Sequence, residues 1–137
     1  MNMIDKLNAL NKDTLMETLG ITYTHFDGDM LRGEMQVTPA VHQPFGLLHG
    51  GATAVLAETL GSFLSSMQYD PKDNKMAVGT NLNVYHLKSV RSGKVTADAS
   101  FVRKGRSMHV LHIDVYNEED DKIAYAVLTT QIVERKE

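Results

Sequence analysis

The sequence predicts an α+β domain in which an antiparallel sheet packs on one long central helix. Two features carry this prediction. His49 to Met67 runs without proline and with a single charge, the signature of a helix with little need of solvent. From Met76 onward, strand-like segments alternate with turns at Arg91–Gly93, Lys104–Arg106 and Asn117–Asp121, spaced 12 to 16 residues apart as in long antiparallel hairpins.

Ahead of these, Leu7, Leu10, Leu15 and Leu19 mark helical turns, with Asp13 as the expected N-cap and Gly20 as the stop. Residues 21–26 and 31–38 read as two short strands joined by a turn at Asp27–Gly28–Asp29. The loop from Pro39 to Leu48 leads into the long helix. Val95, Ala97, Ala99 and Phe101 then alternate with Lys94, Thr96, Asp98 and Ser100, the period of a half-buried strand. Residues 122–133 make the last strand.

The chain has 137 residues, 42% hydrophobic and 23% charged, which is one domain able to bury roughly two thirds of its unfolded surface. No apolar run approaches the ~18 residues of a membrane span. Asp5 and Lys6 fall where a signal peptide needs an apolar run, so a cytoplasmic protein is expected. A net charge of −3 argues against nucleic acid as a partner. There is no cysteine, which removes disulfides, a thiol nucleophile and Cys-based metal sites. His109 and His112 are three apart in a predicted strand, facing opposite sides, and make a poor metal pair.

The long helix carries the functional signal. Gly50, Gly51, Ala52, Ala54, Ala57 and Gly61 are small. Each helical glycine costs roughly 1 kcal/mol relative to alanine, a cost accepted where backbone approaches backbone or ligand. Such a helix is expected to be buried all round, inside a curved sheet. Glu58 sits in its middle, and no lysine or arginine occurs between Arg32 and Lys72 to neutralise it. An unpaired buried carboxylate shifts its pKa upward and points to catalysis; a solvent-facing Glu58 at the end of a groove is the structural alternative. Ser62, at i+4, shares its face and either holds the carboxylate or a water, or only packs. Gly50 and Gly51 present open N–H groups at the positive end of the helix dipole, where a developing oxyanion is stabilised. Gln43 and His49 in the preceding loop add donors. Together these groups form a constellation for acyl transfer to water.

Residues 43–62, QPFGLLHGGATAVLAETLGS, resemble the hotdog-fold acyl-CoA thioesterases, and residues 79–99 are similar to the same family's next strands. The subgroup resembled carries glutamate on the central helix and includes the glutamate-type 4-hydroxybenzoyl-CoA and the 1,4-dihydroxy-2-naphthoyl-CoA thioesterases. The resemblance implies a single hotdog domain over 1–137 that hydrolyses an aromatic or other bulky acyl-CoA without metal or cofactor. It implies that Glu58 is general base or nucleophile and that the Gly50 N–H polarises the thioester carbonyl. Gln43 and His49 would assist, and Ser62 would position water or carboxylate. A homodimer with shared active sites is expected, alone or paired into a dimer of dimers.

His86, Lys88, Arg91, Lys94, Arg103, Lys104 and Arg106 fall within 21 residues that hold one acid, Asp98. This reads as a phosphate clamp for the CoA nucleotide, or as a hairpin surface balanced by the acidic turn Glu118–Asp121. The resemblance favours the clamp, through His86, Arg91, Ser92, Gly93 and Arg106. The competing function is a non-catalytic hotdog module that binds acyl-CoA. Gly50 and Glu58 are eight residues apart, about 12 Å along one helix, too far for one water to join them. A two-fold dimer with antiparallel helices would bring one subunit's Glu58 to the other's Gly50.

Overall fold

The computed structural model describes residues 1–135. Two short helices, α1 (Met3–Ala9) and α2 (Leu15–Leu19), precede the strands β1 (Ile21–Phe26) and β2 (Met30–Gln36). The long helix α3 spans Gly50–Ser66. Four strands follow: β3 (Lys75–His86), β4 (Lys94–Lys104), β5 (Met108–Tyr116) and β6 (Lys122–Glu134). They form one antiparallel sheet in the order β1-β2-β4-β5-β6-β3, curled around α3 in the hotdog arrangement.

Leu56, Leu60 and Leu64 recur every fourth residue and, with Ala57, form the fully buried stripe of α3. They meet Leu31, Val95, Ala97, Leu111, Ile113 and Leu128 from the concave face of the sheet. At Gly61 the absence of a side chain lets helix and sheet pack closely. A Cβ there would stand 2.6 Å from Leu128 Cδ2 and 3.3 Å from Ile113 Cδ1.

Four expectations are corrected. Helix α2 is capped at Thr14, one residue beyond Asp13, because Asp13 adopts a left-handed φ of 62°. Gly20, at φ 74°, does end it. Strand β2 stops at Gln36, and Pro39–Val41 forms a 3-10 turn. Strands β3 and β4 are no hairpin: β3 lies at the sheet edge beside β6, whereas β4 lies between β2 and β5. The connection through Arg91–Gly93 therefore crosses the end of the sheet beside the start of α3. It is held there by Leu48 N–H to Val90 O (2.7 Å) and His42 Nε2–H to Arg91 O (2.9 Å), with Val90 buried. Finally, α3 is covered on one side only. Ala54, Val55, Thr59, Ser62, Phe63 and Ser66 are half-buried, and Glu58 is exposed.

Candidate active site

Two of the pockets along α3 hold the residues singled out from the sequence. The first, about 340 Å³, is at its N-terminus and is lined by Gln43, Leu48, Gly50, Thr53, His86 and Val90. The Gly50 N–H has no acceptor among the described residues and lies at the positive end of the helix dipole. The Gly51 N–H is not free as expected. It donates to His49 Nδ1 at 2.7 Å, making His49 the N-cap. With Nδ1 accepting, the neutral ring carries its proton on Nε2, which leaves His49 a donor. Gln43 Oε1 accepts from the N–H groups of Phe45 (2.5 Å) and Leu47 (3.4 Å). Only oxygen can accept, so the loop fixes the amide with its NH₂ group turned away from those bonds. The His86 imidazole covers Gly50 so closely that a Cβ at position 50 would lie 3.0 Å from Nε2.

The second pocket, about 330 Å³, lies along the open face of α3 and is lined by Leu15, Ala54, Glu58, Thr59, Ser62 and Leu82. Glu58 reaches across to β3, where a Cβ at Gly79 would stand 3.2 Å from Oε2. Its isolation from basic residues holds in space, since no salt bridge among the described residues includes it. The expectation of burial does not hold within one chain, because the six strands curl around the opposite face of the helix. Ser62 Oγ shares this pocket, with no hydrogen-bond partner among the described residues.

The basic residues do not form one cluster within the chain. Strand β4 has 11 residues and separates Arg91–Gly93 from Arg103, Lys104 and Arg106. At about 3.3 Å per residue its ends stand more than 30 Å apart. Lys88 pairs with Asp121 at 2.6 Å, which raises the amine's pKa and lowers the carboxyl's, and Lys94 pairs with Glu34 at 3.2 Å. The acidic turn therefore balances part of the charge. Arg91 and Ser92 line a third pocket of about 330 Å³, with Lys88, Glu118 and Asp121. It adjoins the pocket at Gly50 through Lys88, Ser89 and Val90. Arg106 is exposed in the β4–β5 turn at the far end.

The structure also holds a polar group that the sequence did not single out. Ser65 Oγ contacts His109 Nδ1 at 2.6 Å and Thr130 Oγ1 at 2.8 Å, all three residues buried, with Tyr69 Oη 3.3 Å from His109 Nε2. Burial, with a smaller contribution from Lys104, lowers the His109 pKa. This network ties the C-terminal half of α3 to β5 and β6. Its signal was the phase of β5, where His109 alternates inward with Leu111, Ile113 and Val115. His112 faces the other side, 3.6 Å from Asp114. Among the described residues no three His, Asp or Glu side chains are grouped to hold a metal ion.

Residues 45–124 match the thioesterase superfamily. The chain belongs to this family. It is 40% identical over 127 residues to the proofreading thioesterase EntH of Klebsiella pneumoniae, covering 93% of this chain and 91% of that protein. The structure of thioesterase HI1161 from Haemophilus influenzae superposes with a TM-score of 0.94 at 36% identity, covering all of this chain and 94% of the other. A mutant of thioesterase PA1618 from Pseudomonas aeruginosa gives 0.93 at 39% identity, with 98% and 96% covered. The chain is a thioester hydrolase with the hotdog fold, which removes the reading as a mere binding module. No helix among the described residues is long and apolar enough to cross a membrane.

Proposed function

We propose that this thioesterase hydrolyses acyl-CoA carrying an aromatic or otherwise bulky acyl group, as in the glutamate-type hotdog enzymes, in sites shared by two subunits. The observation that carries the reading is the separation of the two half-sites. The Gly50 donors and the Glu58 carboxylate occupy different pockets, about 12 Å apart along α3. Strand β3 supports the pairing, because its 12 residues form a free edge beside the open face of α3. Two copies joined antiparallel along β3 would set one subunit's Glu58 and Ser62 against the other's Gln43, His49 and Gly50.

In such a site the Gly50 N–H and the Gln43 amide hydrogen-bond the thioester carbonyl oxygen, and His49 Nε2–H is the auxiliary donor. Glu58 takes a proton from a water beside Ser62 as its oxygen attacks the carbonyl carbon. The tetrahedral intermediate then collapses with cleavage of the C–S bond, and Glu58 returns the proton to the leaving thiolate. The pantetheine arm would run past His86 and Val90 to Arg91, Ser92 and Gly93, along the two adjoining pockets. Antiparallel β3 strands would also bring one subunit's β4–β5 turn, with Arg106, to the end that carries the other's Gly50.

The test is a mixed dimer of Glu58→Ala and Gln43→Ala subunits carrying different tags. Each parent should be nearly inactive. Shared sites give one intact and one doubly damaged site, hence about half of wild-type activity. A mixed dimer as inactive as its parents would place both groups in one chain and reject the shared site.

A further inference from the structure

The catalytic reading leaves unexplained why an apolar groove continues along α3 beyond Glu58. A further pocket of about 270 Å³ is lined by Met16, Thr59, Ser62, Phe63 and Ser66. It shares Thr59 and Ser62 with the pocket that holds Glu58, so the two adjoin. From Glu58 to Ser66 is eight residues, about 12 Å along the helix. Phe63 gives the groove a firm wall, stacked edge to face on buried Tyr23 with ring centres 5.3 Å apart. The opposite wall comes from outside the sheet and helix: Leu15 and Met16, the first two residues of α2, each line one of the two pockets.

Helix α2 is built differently from the rest. It has five residues, none fully buried, and is bracketed by left-handed Asp13 (φ 62°) and Gly20 (φ 74°). Leu15 is 53% exposed, an apolar side chain that the chain's own core does not use. Met16 is unbranched and polarisable, suited to packing against ligands of variable shape.

We propose that Leu15 and Met16 form the distal wall of the acyl pocket and set the size of acyl group that the enzyme accepts. This rests on the acyl-CoA reading above. The occupant is the apolar part of the acyl group beyond the reacting carbonyl, and the continuity of the groove with the Glu58 pocket selects it over a second copy of the chain. Straight medium chains and rings with a further substituent share this chemistry, and the substrate series tells them apart.

The test compares kcat/KM over straight-chain acyl-CoAs from acetyl to dodecanoyl, with benzoyl- and phenylpropionyl-CoA, for the wild type, Met16→Ala, Leu15→Ala and Met16→Trp. Each methylene newly buried should be worth about fourfold. Met16→Ala should therefore raise the preference for long over short acyl groups by about tenfold or more, and Met16→Trp should lower it comparably. Leu10→Ala, at a 62% exposed position lining none of these pockets, should keep the wild-type preference. Unchanged preference ratios in all the Leu15 and Met16 variants, or equal losses on every substrate, overturn the proposal. So does a change confined to elution volume in size exclusion, which would assign the groove to subunit packing. Calorimetric binding of alkyl-CoA thioethers separates the two layers. A wild type that hydrolyses none of the acyl-CoAs sinks the functional reading, while the chain-length dependence of thioether affinity still reports on the wall.

Discussion

The two edges of the sheet are finished in different ways. At β1 the edge backbone is covered by side chains from α1 and the turn after it. Asn8 pairs with Tyr23 twice, accepting from its N–H at 2.7 Å and donating to its C=O at 2.9 Å, and Asn11 Nδ2 donates to Ile21 O at 3.0 Å. The strand is only six residues long, with an irregularity in register between Tyr23 and His25. Strand β3 is 12 residues long, and Met76, Val78 and Tyr85 are exposed along it. Asparagine amides bond the backbone of one edge at Ile21 and Tyr23, whereas the other offers a row of donors and acceptors. The contrast places the chain's self-sufficient part at β1 and its unfinished part at β3, where Glu58 also lies.

The largest effect expected is on the unfinished side. Glu58→Gln should lower kcat by ~10²–10⁴, the usual cost of losing a general base, with KM within a few fold and the unfolding midpoint close to wild type. Retention of a third of wild-type turnover would reject the base assignment. On the finished side, Asn8→Ala strands the N–H and C=O of Tyr23, and urea unfolding should show a loss of about 1–3 kcal/mol with kcat nearly unchanged. No loss of stability would mean that the β1 edge needs no cap.

Asn81→Asp sharpens the comparison, because it is exposed near the middle of β3 and keeps an oxygen for Asn83 Nδ2, now 2.6 Å from Asn81 Oδ1. Paired β3 strands would then carry like charges close together, and the dimer should dissociate about five- to tenfold more readily, as sedimentation would measure. An unchanged dissociation constant would rule out pairing through this edge. The smallest effect is expected of Arg91→Ala: KM for a CoA thioester should rise by roughly three- to tenfold, with little change for the N-acetylcysteamine thioester, which has no phosphates. Equal changes with both substrates would remove Arg91 from the phosphate contacts.

What the sequence could show was local. The bounds of α3 were readable to within a residue, because a run without proline and with one charge extends from His49 to Met67. The alternation of β4 was readable because one face of it is buried. The pairing of β3 with β6 was not, since alternation states which face is inward and nothing about which strand is the neighbour. Glu58 was singled out correctly as isolated from basic residues, yet its exposure depends on which side of α3 the sheet covers. The basic residues looked like a cluster because 21 residues of sequence hide an extended 11-residue strand. Gln43 was recognisable only as a donor; the loop bonds that fix its amide required coordinates.

The placement of β3 also bears on how the chain is made. β3 is synthesised before β4 and β5, yet its one neighbour in the sheet is β6, which follows them both. At ~5–20 residues per second a ribosome needs a few seconds to pass from the end of β3 to the start of β6. During that interval Val78, Leu82 and Val84 have no strand to pair with, because their partners Gln131, Leu128 and Ala126 are not yet made. Once β6 docks, the other side of β3 remains bare within the single chain. Were two copies to pair along this edge as proposed, covering it would depend on how many finished copies are nearby, and a crowded polysome would shorten the wait.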